Sequence, residues 1–194
     1  MSTITRLGTH SPLMDDSMLV SEALVDAEAF AELYRRHLTR VFRYHMARTG
    51  NSKDAEDLTS QTFMAALESI HSFRNDGSFA AWLLGIAMRK QALFFRGRSH
   101  GELPLAAALD VPDPRLPTDK AAMQNLQLEE IRCALAGISP DRAQAIALCF
   151  FGGLSPVEVG HVMGRSEAAI KMLLSRGLQD LRTRTSLALE AQDE

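Results

Sequence analysis

The sequence predicts an all-α protein made of two small helical domains joined by a proline-rich linker. Three observations lead there. Apolar residues recur at helical spacing through nearly every patterned stretch, and no stretch alternates convincingly at period two. These stretches fall into two groups. Between the groups, residues 99–120 hold Pro104, Pro112, Pro114 and Pro117, four of the chain's seven prolines, together with Gly101. Proline blocks helix propagation and keeps a segment extended. The implied division is an N-terminal tail 1–25, a first domain 26–98, a linker 99–122, a second domain 123–187 and an acidic tail 188–194. The first 25 and last 10 residues are expected to lie outside the ordered cores.

In the first domain, Phe30, Leu33, Tyr34, Leu38, Val41 and Phe42 make one apolar stripe of a helix that Asp26 caps and Gly50-Asn51 ends. A second helix starts at Ser52 and runs to about Ser72. A third begins near Ser78 and carries Phe79, Trp82, Leu83, Ile86, Leu93 and Phe94. The turn-rich tetrad Arg74-Asn75-Asp76-Gly77 separates these two helices. Beyond the linker, helical spacing resumes with Leu128, Ile131 and Leu135, then Ala143, Ile146, Ala147 and Phe150. Neither a 20–50-residue repeat nor a low-complexity tract is present.

Composition narrows the class. The 194 residues are 46% hydrophobic, which supports sizeable cores and excludes wholesale disorder. Two cysteines, Cys133 and Cys149, make neither a disulfide framework nor a zinc-ligand cluster, as expected in a reducing compartment. Apolar runs such as 145–154 are far shorter than a membrane span, and the N-terminus lacks a signal-peptide core. A soluble, cytoplasmic protein without membrane insertion is expected. The net charge of −3 conceals two basic blocks. Residues 26–98 carry 11 Lys/Arg against 8 Asp/Glu, and residues 165–184 carry 5 against 2. Clustered charge, more than the total, attracts phosphates, although one such block alone reads sooner as a solvated face.

The most informative local pattern is Leu154-Ser155-Pro156-Val157-Glu158. Ser155 is a good N-cap, Pro156 suits the first helical position and Glu158 completes a capping box. Val157, Val159, Val162 and Met163 supply apolar surface, and Gly164 ends the helix. Ser166 then caps a longer, basic helix whose buried face is Ile170, Leu174, Leu178 and Leu181. A short helix, a glycine turn and a longer basic helix describe a helix-turn-helix, whose second helix enters the major groove. Its groove-facing candidates are Arg165, Ser166, Glu167, Ala168, Lys171, Met172, Ser175 and Arg176. Lys171 and Arg176 are the candidates for phosphates or guanine edges. The alternative is an ordinary helical hairpin packed in a bundle.

The second helix divides unusually. Ala55, Phe63, Ala66, Leu67 and Ile70 form its core stripe. Asp54, Asp57, Gln61 and Glu68 lie opposite, bordered by Leu58 and Met64. Acids around a glutamine with apolar borders suit a basic or amphipathic protein partner; the plainer reading is a solvated face. Asp54, Glu56 and Asp57 do not make a metal site, because no His stands at ligand spacing and Glu56 points away from the other two. His37 and His45 are read as packing or surface residues. With no phosphate loop, nucleophile elbow or Cys-His pair, no catalytic residue, metal or cofactor is expected.

The run Asp54-Ala55-Glu56-Asp57-Leu58 with Gln61-Thr62-Phe63, Phe73, Phe79-Ala80-Ala81-Trp82-Leu83 and Ile86-Ala87 resembles region 2 of RNA polymerase sigma factors. Ile138-Ser139-Pro140 with Gly153-Leu154-Ser155, Glu158-Val159, Gly164-Arg165-Ser166 and Ile170-Lys171 resembles region 4. Order, spacing and linker are similar to the two-domain, extracytoplasmic-function group of the sigma-70 family. The resemblance implies that Asp54, Asp57, Leu58, Gln61 and Met64 bind the clamp helices of the polymerase β′ subunit. It further implies that Arg74, Asn75, Asp76, Ser78 and Trp82 capture an unstacked −10 base, and that Arg89, Lys90, Arg96 and Arg98 lie along −10 DNA. The helix-turn-helix reads the −35 element, and its domain contacts the β flap. A non-enzymatic factor, monomeric when free and commonly held by an anti-sigma factor, follows from the same resemblance. The chain departs from the usual family pattern at Leu67, Arg89, Met172, Leu173 and Leu178; fewer cations in the recognition helix mean fewer phosphate contacts. The rivals are a dimeric stand-alone DNA-binding regulator and a carboxylate-metal helical enzyme.

Overall fold

A computed structural model describes residues 14–74, 77–99 and 133–190. The proline-rich linker, Leu128, Ile131, the tail residues 1–13 and 191–194, and Asn75 and Asp76 lie outside the described residues. Every regular element among the described residues is helical: α1 (Asp16–Ala23), α2 (Ala27–Thr49), α3 (Ser52–Ser69) with a 3-10 turn (Ile70–Ser72), α4 (Phe79–Ser99), α5 (Pro140–Ile146) running into a π-helical turn (Ala147–Phe151), α6 (Pro156–Met163) and α7 (Glu167–Glu190).

Local chemistry sets these bounds. Asp26 caps α2 by accepting from the Glu28 backbone N–H at 2.9 Å, and Gly50 ends it in the left-handed conformation at φ 67°. Asn51 does more than end α2: its side chain accepts from the Asp54 N–H at 3.0 Å and starts α3. Ser78 caps α4 by accepting from the Ala81 N–H at 3.1 Å. Residues 16–23 belong to the stretch expected to be an unordered tail, yet they form α1. Its Leu19 and Val20 are buried, and Asp16 holds His37 at 2.6 Å and Arg36 at 3.2 Å on α2. Eight residues are too few to show a period in sequence, so tertiary contacts make this helix visible. Similarly, α7 runs to Glu190, past the expected domain boundary at 187.

The core gathers around α2, α3 and the first half of α4. Leu33, Val41, Tyr44, Phe63, Ala66, Leu83 and Leu84 are buried there. Leu148, Leu154, Val159 and Ile170 of the C-terminal half belong to the same apolar cluster. Ala47 of α2 likewise joins Leu135, Ile138, Ala143 and Ile146. Tyr34, assigned to the α2 stripe, is only partly covered, but its ring lies 4.6 Å from that of Phe63. Leu93, placed on the apolar face of α4, is exposed instead, because the core covers mainly the first half of that helix.

His37 and His45 are both packing residues, buried in α2. His45 Nε2 lies 3.1 Å from the Thr62 hydroxyl, which gives its own proton to the Leu58 carbonyl at 2.7 Å. The imidazole therefore donates through Nε2, and burial pushes its pKa down to about 3. The folded state keeps this ring neutral, while the unfolded chain takes up a proton below about 6.5. Stability should therefore fall as pH drops from about 6.5 towards 3, by up to about 1.4 kcal/mol per unit from this group. Denaturant titrations between pH 6.5 and 4 should show a shallower loss for His45→Leu than for the parent chain. Equal slopes would show that His45 is not held neutral by burial.

Candidate functional site

Three surfaces carry the residues singled out in the sequence. The first surrounds the turn between the 3-10 helix and α4. Phe73, Phe79 and Trp82 form an aromatic triad with centroid separations of 5.5–5.8 Å. Phe79 is the buried member and Trp82 is half-exposed. Beside the triad, Arg74, Ser78 and Arg89 open into a cleft of about 660 Å³. Trp82, Gly85, Arg89 and Arg96 recur at helical spacing, so one face of α4 leads away from this cleft. Lys90 and Arg98 lie on other faces. Arg98 pairs with Asp54 of α3 at 2.8 Å and sits 5.1 Å from the Phe94 ring.

The opposite wall of the cleft comes from α6: Glu158, His161 and Val162. Sequence reading assigned Glu158 to the capping box and gave His161 no role. No local signal reveals this wall, because Ser78 and Glu158 stand 80 residues apart and meet only through tertiary packing. Burial works to raise the Glu158 carboxyl, but hydrogen bonds from Ser78 and Ser155 and the nearby Arg40 outweigh it and hold the pKa below the usual range.

On α3, Asp57, Gln61, Met64 and Glu68 are exposed, with Met64 at 64%. Asp54 joins them at the helix start, half-buried by its pair with Arg98. Two assignments change. Leu58, expected to border the exposed face, is 1% exposed, whereas Leu67, expected in the core, is 51% exposed. Because α3 packs against both α2 and α4, its buried stripe is Ala55, Leu58, Thr59, Thr62, Phe63 and Ala66. That rotation turns Leu67 outward. Glu56 lies apart on the helix and accepts from the Ser52 hydroxyl at 2.9 Å.

The third surface is the helix-turn-helix. Ser155 and Glu158 form the complete capping box, Pro156 starts α6 and Gly164 ends it in the left-handed conformation at φ 64°. Ser166 caps α7 by accepting from the Ala169 N–H at 3.2 Å. Ile170 is buried against α6, while Glu167, Ala168, Lys171, Met172, Ser175 and Arg176 are all exposed. Lys171 pairs with Glu167 at 2.7 Å, and Arg165 with Asp141 at 2.5 Å. Exposed pairs of this kind are worth at most about 1 kcal/mol and are readily exchanged for phosphate. Arg142 of α5 pairs with Asp180 of α7 and ties the two helices together.

A capped helix-turn-helix with an exposed second-helix face, beside a helical bundle that carries an aromatic and basic cleft, defines a two-part helical protein. Comparison makes the class specific. Residues 33–100 match Sigma-70 region 2 and residues 128–181 match Sigma-70, region 4. The chain belongs to the sigma-70 family of RNA polymerase sigma factors, in its extracytoplasmic-function group. It is 34% identical over 158 residues to the ECF RNA polymerase sigma factor BldN of Streptomyces coelicolor, covering 80% of this chain and 60% of BldN. This chain spans about 60% of the length of BldN and of a second relative, the ECF RNA polymerase sigma factor SigE of Mycolicibacterium smegmatis, to which it is 30% identical. Among solved structures, CnrH in complex with the cytosolic domain of CnrY superposes with a TM-score of 0.67 at 22% identity, covering 89% of this chain and 97% of that one. The sigma factor RpoE of Bartonella quintana, in complex with the anti-sigma factor NepR, gives 0.60 at 22% identity, covering 80% and 96%. No helix among the described residues is long and apolar enough to cross a membrane.

The turn of the helix-turn-helix depends on Gly160. A Cβ there would lie 2.7 Å from the Arg165 carbonyl oxygen, which is backbone and cannot swing aside. Alanine normally favours a helix over glycine by about 1 kcal/mol, while overpacking costs about 1–3 kcal/mol. Packing should win, so Gly160→Ala should destabilise the chain by about 1–2 kcal/mol in denaturant unfolding. A stabilised variant would show that the turn does not approach α6 this closely.

Proposed function

We propose that the chain binds core RNA polymerase and directs it to a small set of promoters. In this reading, residues 26–98 together with α1 act as the region 2 domain and residues 123–187 as the region 4 domain. What carries the proposal is that one chain presents, in the family's order, an acidic helix face with apolar edges and a helix-turn-helix whose reading face is exposed. Asp54, Asp57, Gln61 and Met64 contact the β′ clamp helices, and Leu67 replaces the buried Leu58 at the border. Phe73 and Trp82 stack a base removed from the −10 duplex, while Arg74 and Ser78 hold its edge and backbone. Unstacking costs a few kcal/mol, which an aromatic and polar cleft can offset. Arg89 and Arg96 follow the strand, and the exposed face of α7 reads the −35 element while its domain meets the β flap.

The work done is binding and positioning, without covalent chemistry or a cofactor. It takes place in the cytoplasm, where polymerase and chromosome meet. CnrH and RpoE were each solved with a bound protein, the latter with an anti-sigma factor, and a partner of that kind for this chain is part of the proposal.

Two measurements test this reading. The Asp57→Lys, Gln61→Lys double variant should lose co-purification with bacterial core polymerase while keeping its helical circular dichroism. Retained binding would remove α3 from the interface. Lys171→Ala should weaken promoter binding across sequences and lower the slope of log affinity against log salt by about 1. An unchanged slope would mean that Lys171 touches no phosphate.

A further inference from the structure

The rotation of α7 about its axis decides which of its side chains face outward, and two contacts fix it. Ile170 is fully buried. Gly177 lies so close to α5 that a Cβ there would stand 2.8 Å from Ile146 Cδ1 and 3.3 Å from Arg142 Cβ. On the opposite side of the helix, at about 100° per residue, Ala168, Met172 and Ser175 fall within about 60° of one another. All three are exposed, Met172 at 54%. Lys171 and Arg176, also exposed, border this strip about 40° beyond it on either side. Gln179 continues the strip one turn past Ser175, beyond the N-terminal part of the helix that contacts bases in this motif.

The centre of the face is therefore small and largely apolar, and its cations stand at the edges. Bidentate reading of guanine needs an Arg or Lys, and of adenine an Asn or Gln, aimed at the groove floor. Neither kind occupies the centre here. What an apolar centre matches is the 5-methyl group of thymine, which lies in the major groove and which cytosine lacks. Cationic edges match the phosphates that flank the groove. Ala168 and Met172 stand about 6 Å apart along the axis, and neighbouring bases about 3.4 Å apart along a strand, so the pair reaches bases one or two steps apart. We infer that Ala168 and Met172 read the −35 element through thymine 5-methyl groups, while Lys171 and Arg176 bind phosphates on either side. The inference rests on the sigma-factor reading and adds a base preference to it: two A·T pairs specified by apolar contact. Ser175 beside them is tolerant, because a hydroxyl both donates and accepts. A methyl group buried against an apolar side chain is worth about fourfold in affinity.

Initiation by the full chain with core polymerase on a pool of genomic promoters identifies the −35 element, and the test then removes methyl groups from the DNA. Deoxyuridine pairs as thymidine does but lacks the 5-methyl group. Replacing the −35 thymidines one at a time should weaken binding of the polymerase complex by about fourfold at two positions and leave the others unchanged. Met172→Ser alters only an exposed side chain, and it should bind thymidine and deoxyuridine DNA equally at one of those positions. Arg176→Ala should instead lower the slope of log affinity against log salt by about 1 and keep the methyl preference. A parent chain indifferent to every deoxyuridine overturns the inference, as does a methyl preference that Met172→Ser retains at both positions. An unchanged salt slope in Arg176→Ala overturns its phosphate contact. No initiation by the parent chain defeats the sigma-factor reading and this inference with it; initiation without a methyl preference defeats this inference alone.

Discussion

One constraint organises the molecule: the first half of α4 is apolar on every side. From Phe79 to Ala87, only Trp82 keeps substantial exposure. A helix surrounded by apolar side chains must be covered all round, and a single neighbour cannot do it. Here α2 and α3 cover part of the surface, while α6 and the π-helical turn region supply the rest. Leu83 and Leu84 are both fully buried. Each such burial stabilises by roughly 1.5–3 kcal/mol. The remaining arrangement follows, including the aromatic triad, which lies where α4 emerges from its cover.

Polar groups near that core divide by whether they are matched. Tyr44 is buried, and burial pushes its pKa up to about 12, against the lesser effects of the Gln144 hydrogen bond and nearby Arg48. Arg48 is itself held below its ordinary range by burial. Both side chains lie largely within the interior. The exposed cations of the C-terminal half behave differently. Lys171 and Arg165 hold only surface carboxylates, partners that a phosphate can replace at small cost. Thus the Tyr44–Gln144 bond is matched in the interior, whereas the pairs of Lys171 and Arg165 are exposed and exchangeable.

Much of this was legible in the residues. Gly50 and Gly164 as left-handed helix ends, Ser155 with Glu158 as a capping box, and Ser166 as a cap are local patterns, and the structure reproduces each. Local signals suffice for them because the interacting atoms are within a few residues. The side-chain assignments that changed concern which side of a helix is covered. Leu58 and Leu67 exchanged places because α3 has two neighbours, which widens and rotates its buried stripe. Periodicity reports that a stripe exists, but its edges depend on the angle at which neighbours pack. Helix α1 escaped notice for a related reason: it is held by tertiary contacts, the burial of Leu19 and Val20 and the pairs of Asp16 on α2.

By itself, the sequence determined the helical class, the helix ends within the two halves, the helix-turn-helix and the family resemblance. Each of these is written in spacing and capping chemistry over short separations. Only the tertiary structure decided that the halves share a core, that Glu158 both caps its own helix and accepts from Ser78, and that α6 faces the cleft of Trp82. Those features join residues about 80–100 positions apart. Chain sequence carries no local mark of such a contact, because it arises from complementary surfaces, and complementarity exists only once both surfaces have folded.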